Sequence, residues 1–398
     1  MLSHSEGISK TYMYSLLLAI IYIAFISLGL PDSLLGSAWP VMQQELQVPL
    51  SYAGIISMTI AGGTIISSLL SDRLTKRLGT GLVTAISVMM TAIALFGFSI
   101  SGSMLALIAW AIPYGLGAGA VDAALNNYVS LHYSSRHMSW LHCFWGVGAT
   151  ISPYIMSFAL IRDMGWHSGY RIVGIIQLVL AVFLIFTLPL WVKNNGTTAN
   201  GEPSNDLGII QALKIPGVPY ILLTFLAYCA LESTTGLWAS SYLVRQRGVA
   251  PETAASFASF FYLGITIGRF ISGFVADHFG NRTMIRLGSA TATLGVLMVL
   301  IPTSGTNLAL IGLIVVGLGG APIYPSIIHS TPANFGRQNS QAIIGIQMAS
   351  AYVGSTFAPP LFGFIAGLTG IVIYPFYLLL FAVLMIFTHE RMTKRLAA

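Results

Sequence analysis

Runs of about twenty predominantly apolar residues recur along almost the whole chain. A helix rises about 1.5 Å per residue, so a run of this length matches the roughly 30 Å hydrocarbon core of a bilayer. These runs lack the strict alternation of a membrane β-barrel, which leaves the α-helix as the spanning element. The sequence therefore predicts an all-α membrane protein of twelve transmembrane helices, near residues 12–38, 52–71, 80–100, 104–131, 138–161, 170–192, 217–243, 253–276, 284–301, 306–330, 340–364 and 369–388.

The composition agrees with this class and excludes several functions. Only 8% of the residues are charged, against about 25% in soluble domains. The net charge of +6 arises from basic residues in short loops, so it is not a signal for nucleic-acid binding. The sequence also lacks a nucleophile–base set, a metal-ligand spacing and a nucleotide-binding loop. We therefore expect neither an enzyme nor an ATP-driven pump, and no nucleic-acid partner, metal or organic cofactor.

A single long polar stretch, residues 193–214, divides the apolar runs into two groups of six. It is rich in Gly, Asn, Thr and Pro and is typical of a flexible linker. The predicted domains are an N-terminal six-helix bundle (1–192), a cytoplasmic linker (193–214) and a C-terminal six-helix bundle (215–398). The glycosylation sequon at Asn195 falls in this linker, where a cytoplasmic location would leave it unmodified.

The distribution of Lys and Arg predicts the orientation. If both termini are cytoplasmic, thirteen basic residues lie on the inner side and four on the outer side, which agrees with the positive-inside rule. Arg269 lies within a predicted helix. The inner residues are Lys10, Arg73, Lys76, Arg77, Arg136, Lys193, Lys214, Arg282, Arg286, Arg337, Arg391, Lys394 and Arg395, and the outer ones are Arg162, Arg171, Arg245 and Arg247.

The two halves contain matching segments at similar offsets, and a shared offset is the mark of an internal repeat. The matches fall in the second and eighth, the fourth and tenth, and the fifth and eleventh predicted helices. They are Ser71-Asp72-Arg73 with Ala276-Asp277-His278, Gly115-Leu-Gly117 with Gly317-Leu-Gly319, and Val147–Pro153 with Val353–Pro359. We expect two pseudo-symmetric bundles related by duplication.

Residues 273–282, Gly-Phe-Val-Ala-Asp-His-Phe-Gly-Asn-Arg, resemble the inner-loop signature of the major facilitator superfamily. Two parallel six-helix halves are also the arrangement of that superfamily, which binds its substrates between the halves near the middle of the membrane. The resemblance implies the major facilitator fold. An acid at this position can cap a neighbouring helix and pair with arginine, so we expect a cytoplasmic gate formed by Asp72, Arg73, Arg269 and Asp277.

Three further segments resemble the fucose-permease-like branch of this superfamily, which comprises sugar:proton symporters. They are residues 115–129 with 141–149, and the sequence Leu30-Pro31-Asp32-Ser33. This resemblance implies a secondary transporter that carries a sugar or sugar derivative together with protons.

Three acids lie within predicted membrane helices: Asp32, Asp122 and Glu232. A charged side chain there costs roughly 2.5–3.5 kcal/mol on insertion scales, so it is usually functional. A carboxyl group in a low-dielectric cavity can take up a proton on one side and release it on the other. We expect these acids to couple proton movement to transport, although a packing role is the alternative for each. Glu232 is equally compatible with a substrate contact or with pairing to Arg269.

A sugar site needs hydrogen-bonding groups and aromatic faces, and several predicted helices supply them. Asp122 and Asn126, like His142 and Trp145, are spaced to share a helix face. Asp32, Gly36 and Trp39 are spaced at i, i+4 and i+7, which predicts that the acid and the indole face the same way. Interfacial packing is the alternative for each aromatic residue. The candidate substrate-binding residues are Asp32, Trp39, Asn126, His142, Trp145, Glu232, Trp238, Tyr324 and Gln347.

The leading hypothesis is thus a proton-coupled symporter for a small polar solute, most simply a sugar. The first alternative is a proton-driven antiporter that exports an amphipathic, drug-like compound. The second is a membrane sensor without transport. Each copy contains a whole predicted pathway in a bilayer, so we expect a monomer, and the compact loops are typical of a bacterial inner membrane.

Overall fold

The computed structural model describes residues 2–132, 135–191, 209–302 and 306–397, and nearly all of them are helical. Short 3-10 turns at Leu188–Leu190 and Ile371–Ile373 accompany the main helices. The α-helices are α1 (Leu2–Asp32), α2 (Leu34–Glu45), α3 (Tyr52–Leu78), α4 (Thr80–Ser99), α5 (Met104–His132), α6 (Ser135–Ile161), α7 (Gly165–Thr187), α8 (Ile209–Leu213), α9 (Val218–Arg247), α10 (Pro251–Phe279), α11 (Asn281–Leu300), α12 (Asn307–Gly320), α13 (Ile323–Phe335), α14 (Arg337–Thr369) and α15 (Tyr374–Ala397).

The twelve predicted membrane helices are all present, and the fold class is confirmed. Within the described ranges, eleven segments are long and apolar enough to cross a membrane, and the apolar part of α3, Tyr52–Ser68, is a shorter candidate. Two predicted helices are each divided in two. The first consists of α1 and α2, and the tenth consists of α12 and α13, which are separated by a turn at Ala321 and Pro322.

The same packing pattern occurs in both halves. In the first half, α1 packs on α6, α3 packs on α5, and α4 packs on α5 and α7. In the second half, α9 packs on α14, α10 packs on α12, and α11 packs on α12 and α15. Each pair in the first half corresponds to one in the second after a shift of six membrane helices, so the molecule consists of two pseudo-symmetric six-helix bundles.

Two glycines matched in the sequence make the same contact in the two halves. Gly148 of α6 lies directly against the Ile26 carbonyl of α1, and Gly354 of α14 lies directly against the Leu226 carbonyl of α9. A Cβ atom at either position would collide with that backbone oxygen, so only glycine allows the two helices to approach so closely. The duplication seen in the sequence is therefore also a duplication of helix contacts.

The two halves contact each other through α2 with α9, α3 with α14, and α6 with α10. Several of these contacts lie at the end of the bundle opposite the two termini. There the Gly36 backbone packs against Gly236, and Ser256 Oγ of α10 donates a hydrogen bond of 2.6 Å to Ser157 Oγ of α6. The contacts hold the halves together at this end.

The stretch predicted as a linker lies mostly outside the described residues, as does the sequon at Asn195. Its last part forms α8, in which Ala212 is fully buried. Apolar residues at helical spacing, Ile209, Ile210 and Leu213, distinguish this part from the polar remainder. The domain boundaries at 193 and 214 remain a prediction.

Candidate functional site

A cavity of about 400 Å³ lies between the two halves. Helices α1, α3, α5 and α6 form its wall on one side, and α9, α10, α13 and α14 form it on the other. Among the residues that the structure describes, four charged ones line it: Asp32, Asp122, Glu232 and Arg269. Intramembrane charges gathered around one cavity are typical of a substrate or ion pathway.

The first membrane helix is broken where it reaches this cavity. Pro31 has no backbone N–H, so the Ser27 carbonyl one turn earlier loses its helical donor. Gln177 of α7 supplies a replacement, because its Nε2 donates to that carbonyl at 2.8 Å. Beyond the break, Ser33 Oγ donates to the Ala149 carbonyl of α6 at 2.7 Å. Hydrogen bonds with α6 and α7 therefore hold the break in place.

Asp32 is the last residue of α1 and is exposed to the cavity. Its Oδ2 accepts a hydrogen bond of 2.8 Å from Trp145 Nε1, and its Oδ1 accepts one of 3.3 Å from the Tyr114 hydroxyl. The carboxyl group is thus fixed in direction by two donors while solvent in the cavity can still reach it.

The second half places an ion pair opposite Asp32. Arg269 Nη2 lies 3.4 Å from Glu232 Oε1, and Nη1 of the same arginine donates to the His142 carbonyl at 3.4 Å. The guanidinium carbon lies 5.0 Å from the centre of the Trp145 ring, within cation–π distance. Trp145 therefore connects Asp32 of the first half with Arg269 of the second.

Asp122 lines the cavity from α5 and is half-buried. Asn126, four residues later, donates from Nδ2 to Asp122 Oδ1 at 2.9 Å and to the Asp122 carbonyl at 3.1 Å. The predicted shared face is therefore present. Asn126 contacts the acid rather than the cavity itself.

The predicted polar and aromatic residues His142, Trp145 and Tyr324 all line the cavity. The His142 ring packs against Phe25 and Tyr324, with centroids 5.7 Å away in each case. These rings give the cavity an aromatic wall drawn from both halves.

Trp39, predicted as a substrate-binding residue on the Asp32 side of the helix, does not line the cavity. Trp39 is fully buried, and its Nε1 donates to the Leu50 carbonyl at 3.0 Å. The cavity ends before this point, because Gly36 on the intervening turn packs against Gly236 of α9. At Gly36, α9 of the second half therefore covers the helix face that is open to the cavity at Asp32.

Two further candidates also lie outside this cavity. Trp238 is fully buried and donates from Nε1 to the Pro359 carbonyl at 2.9 Å. Gln347 is fully buried, and its Oε1 accepts a hydrogen bond from Thr331 at 3.0 Å. Both side chains are used in packing between helices of the second half.

Arg269, predicted as part of the cytoplasmic gate, lies in the wall of the cavity. Arg269 precedes Asp277 by eight residues, which is roughly 12 Å along a helix, and its guanidinium pairs with Glu232 in the cavity wall. This pairing is one of the three roles considered for Glu232. The side chains of Asp72, Arg73 and Asp277 lie outside the described part of the structure.

Sequence reasoning missed Tyr114 and Tyr262 as cavity residues. The chain has 17 tyrosines, so the residue type alone gives no signal. Arg269 carried a usable signal, since a cation inside a membrane helix is a candidate functional group by default.

Comparison with known proteins identifies relatives along the whole chain. The sequence matches the profile described as Major Facilitator Superfamily over residues 21–231 and 220–395. It is 24% identical to the 4-hydroxybenzoate transporter PcaK of Acinetobacter baylyi, over 77% of this chain and 74% of that protein. It is 23% identical to the cis,cis-muconate transport protein of the same organism, over 90% and 88%.

Solved structures share the fold. The nucleoside transporter NupG, solved in a mutant form, superposes with a TM-score of 0.76 at 14% identity, covering 94% of this chain and 98% of that one. The transporter FucP in the outward conformation superposes with a TM-score of 0.64 at 17% identity, covering 96% and 99%.

Proposed function

The chain belongs to the Major Facilitator Superfamily, and from this premise we propose that it is a symporter that moves a small polar solute together with protons by alternating access. It is a membrane transporter, like the relatives to which it is similar, and not an enzyme. The proposed solute is a sugar or a sugar derivative.

The observation that carries this proposal is the position of Asp32. Its carboxyl group lies at a helix break, is exposed to the cavity and accepts hydrogen bonds from Trp145 and Tyr114. Low-dielectric surroundings favour a neutral acid, whereas two donors and solvent favour the charged form. A carboxyl group whose surroundings favour both its neutral and its charged form can take up or release a proton when the cavity opens to one side or the other. Asp122, on the same half, is the proposed second proton site.

Cavity size and lining support a small polar solute. A volume of about 400 Å³ falls within the roughly 300–1,000 Å³ usual for ligand pockets. Relatives are named for transport of 4-hydroxybenzoate, cis,cis-muconate and, in Bacillus subtilis, hexuronate, all of which are small polar organic molecules. Trp145 and Tyr262 offer aromatic faces for C–H surfaces, while Asp32 and Glu232 offer hydrogen-bond acceptors.

The orientation and assembly state complete the proposal. Thirteen basic residues would lie in the cytoplasm and four outside if both termini are cytoplasmic. The proposed protein is a multi-pass monomer of a bacterial inner membrane, since one chain surrounds the whole cavity.

Uptake by proteoliposomes under an imposed pH gradient tests this function. We expect an inward-directed proton gradient to drive accumulation of one or more labelled sugars, and dissipation of the gradient by a protonophore to abolish it. A gradient that instead drives outward movement of an amphipathic dye would favour the antiporter.

Asp32→Asn provides the second arm of the test, because asparagine keeps the size of the side chain and cannot carry the proton. We expect this variant to lose proton-driven accumulation and to retain exchange of labelled for unlabelled solute. Full accumulation by the variant would remove Asp32 from the coupling mechanism.

A further inference from the structure

The ion pair between Arg269 and Glu232 in the cavity differs from the ion pair between Arg286 and Glu390 at the surface. The surface pair is bidentate, with Nε at 2.5 Å and Nη2 at 2.8 Å from the two carboxylate oxygens. The cavity pair has a single nitrogen–oxygen contact at 3.4 Å. Charge-assisted hydrogen bonds between these groups are usually 2.7–2.9 Å long. Glu232 therefore forms only one long hydrogen bond with the guanidinium, and the other N–H groups of the guanidinium do not bind this carboxylate.

Arg269 is nevertheless almost entirely removed from bulk water. Its side chain is 8% exposed, whereas that of Glu232 is 18% exposed. A guanidinium has five N–H donors and binds a planar carboxylate best through two parallel hydrogen bonds. The contacts of Arg269 to Glu232 and to the His142 carbonyl are both long, at 3.4 Å. A desolvated cation with long contacts gains more from a better anionic partner than an exposed one does.

The surroundings of Arg269 provide a place for such a partner. Arg269 and Glu232 both line the cavity, so an anion there can reach the guanidinium directly. The Trp145 ring covers the guanidinium at 5.0 Å and presents an apolar surface beside it. Because Trp145 belongs to the first half and Arg269 to the second, an anion bound here would contact both moving parts.

We infer that Arg269 binds a carboxylate group of the transported solute, and that Glu232 forms an ion pair with the Arg269 guanidinium when the cavity is empty. This inference rests on the proposed function and narrows its solute class to a small organic acid, such as a sugar acid. Binding is an exchange of one carboxylate for another, so the buried arginine is paired before and after the solute enters. Released Glu232 is then free to face solvent in the cavity.

Ligand-induced stabilisation of the purified protein in detergent tests the inference without requiring transport. The probes are matched pairs that differ at one group: glucuronate with glucose, and benzoate with benzamide. We expect the carboxylate of at least one pair to raise the melting temperature in a saturable manner. We expect its neutral partner to bind roughly tenfold or more weakly, since hydrogen bonds to charged groups are the strong ones. Equal stabilisation within each pair, or no stabilisation by either acid, would overturn the inference.

Three variants distinguish ligand binding by Arg269 from a purely structural role of the Arg269–Glu232 ion pair. Arg269→Gln should abolish the preference for the carboxylate, while Glu232→Gln should strengthen carboxylate binding because it removes the competing group. Arg286→Gln, in the surface pair, serves as the matched control and should leave the preference unchanged. If the ion pair has only a structural role, Glu232→Gln should do the opposite: carboxylate binding should weaken, and the melting temperature without ligand should fall. That result would overturn the inference even if Arg269→Gln fails to fold.

The two proposals fail in distinguishable ways. Carboxylate-selective binding in detergent without any gradient-driven uptake would leave the Arg269 site standing and remove the proton symport. Gradient-driven uptake of glucose with no preference for glucuronate would leave the symport standing and remove the carboxylate site.

Discussion

Trp145 uses the two parts of its indole for two different partners. The N–H donates to Asp32 at 2.8 Å, and the ring face lies over the Arg269 guanidinium at 5.0 Å. Protonation of Asp32 weakens the first contact, because a neutral acid accepts a hydrogen bond less strongly than a carboxylate does. One side chain can therefore transmit the charge of the proposed proton site to the proposed substrate site.

Replacement of Trp145 by phenylalanine separates the two contacts. Trp145→Phe keeps an aromatic face for Arg269 and removes the donor to Asp32. We expect gradient-driven uptake to fall by roughly ten- to a hundredfold, because a hydrogen bond to a charged group contributes about 1.5–3 kcal/mol. Counterflow exchange should change less. Initial rates of both processes in proteoliposomes, normalised to folded protein, provide the measurement.

Trp39→Phe is the matched control, since the Trp39 indole also donates one hydrogen bond but to the Leu50 carbonyl outside the cavity. It should lower thermal stability and leave uptake per folded molecule unchanged. Wild-type uptake by Trp145→Phe, or equal loss in both variants, would show that the indole N–H of Trp145 has no special part in coupling.

At the level of the helices, the sequence was informative wherever a local pattern is sufficient. Apolar length alone predicts the twelve membrane helices. The spacing of Asp122 and Asn126 correctly predicted their contact, since both lie on one helix. Each of these predictions depends on residues that are near neighbours along the chain.

The differences concern contacts between residues on different helices. Helical spacing places Trp39 on the Asp32 side, but it cannot reveal that α9 covers that face at Gly36. Likewise, proximity in sequence associated Arg269 with Asp277, whereas Glu232 on a different helix is its partner. Which part of a helix face borders the cavity depends on how the halves dock, and no local periodicity encodes that.

The close contact between α1 and α6 is a property of Gly148. In Gly148→Ala the new Cβ would collide with the Ile26 carbonyl, and a backbone oxygen cannot move without shifting its helix. We expect a loss of about 1–3 kcal/mol of stability, as for overpacking in a protein core, observed as a lower melting temperature in detergent.

Gly62→Ala is the control for this substitution. Gly62 lies within α3 and has open space where a Cβ would point. Alanine there should be neutral or stabilising, because glycine is unfavourable inside a helix by about 0.5–1 kcal/mol. If the two alanine variants melt at the same temperature, the close packing of Gly148 does not limit stability.

For the whole molecule, the arrangement of the halves determines where movement can occur. Contacts between α6 and α10 and between α3 and α14 are equivalent under the internal pseudo-symmetry. Both bundles have the same internal packing, so each can move as a unit about the cavity. Opening the end opposite the termini requires the separation of α6 from α10 there, which breaks the hydrogen bond between Ser157 and Ser256.

A disulfide at this position should stop the transport cycle. In a background lacking Cys143 and Cys229, we would combine Ser157→Cys with Ser256→Cys, whose serine oxygens lie 2.6 Å apart. That proximity suits the short Cβ–Cβ separation of a disulfide. Oxidation should abolish uptake because the halves can no longer separate at this end, and a reducing agent should restore it.

The control joins Thr224 and Thr388, whose hydroxyls lie 2.8 Å apart on α9 and α15 of one half. Cross-linking these two positions should leave uptake intact, because they move together. Continued uptake with the first pair fully oxidised, as verified by mass spectrometry of the free thiols, would rule out separation of α6 and α10 as a step in transport.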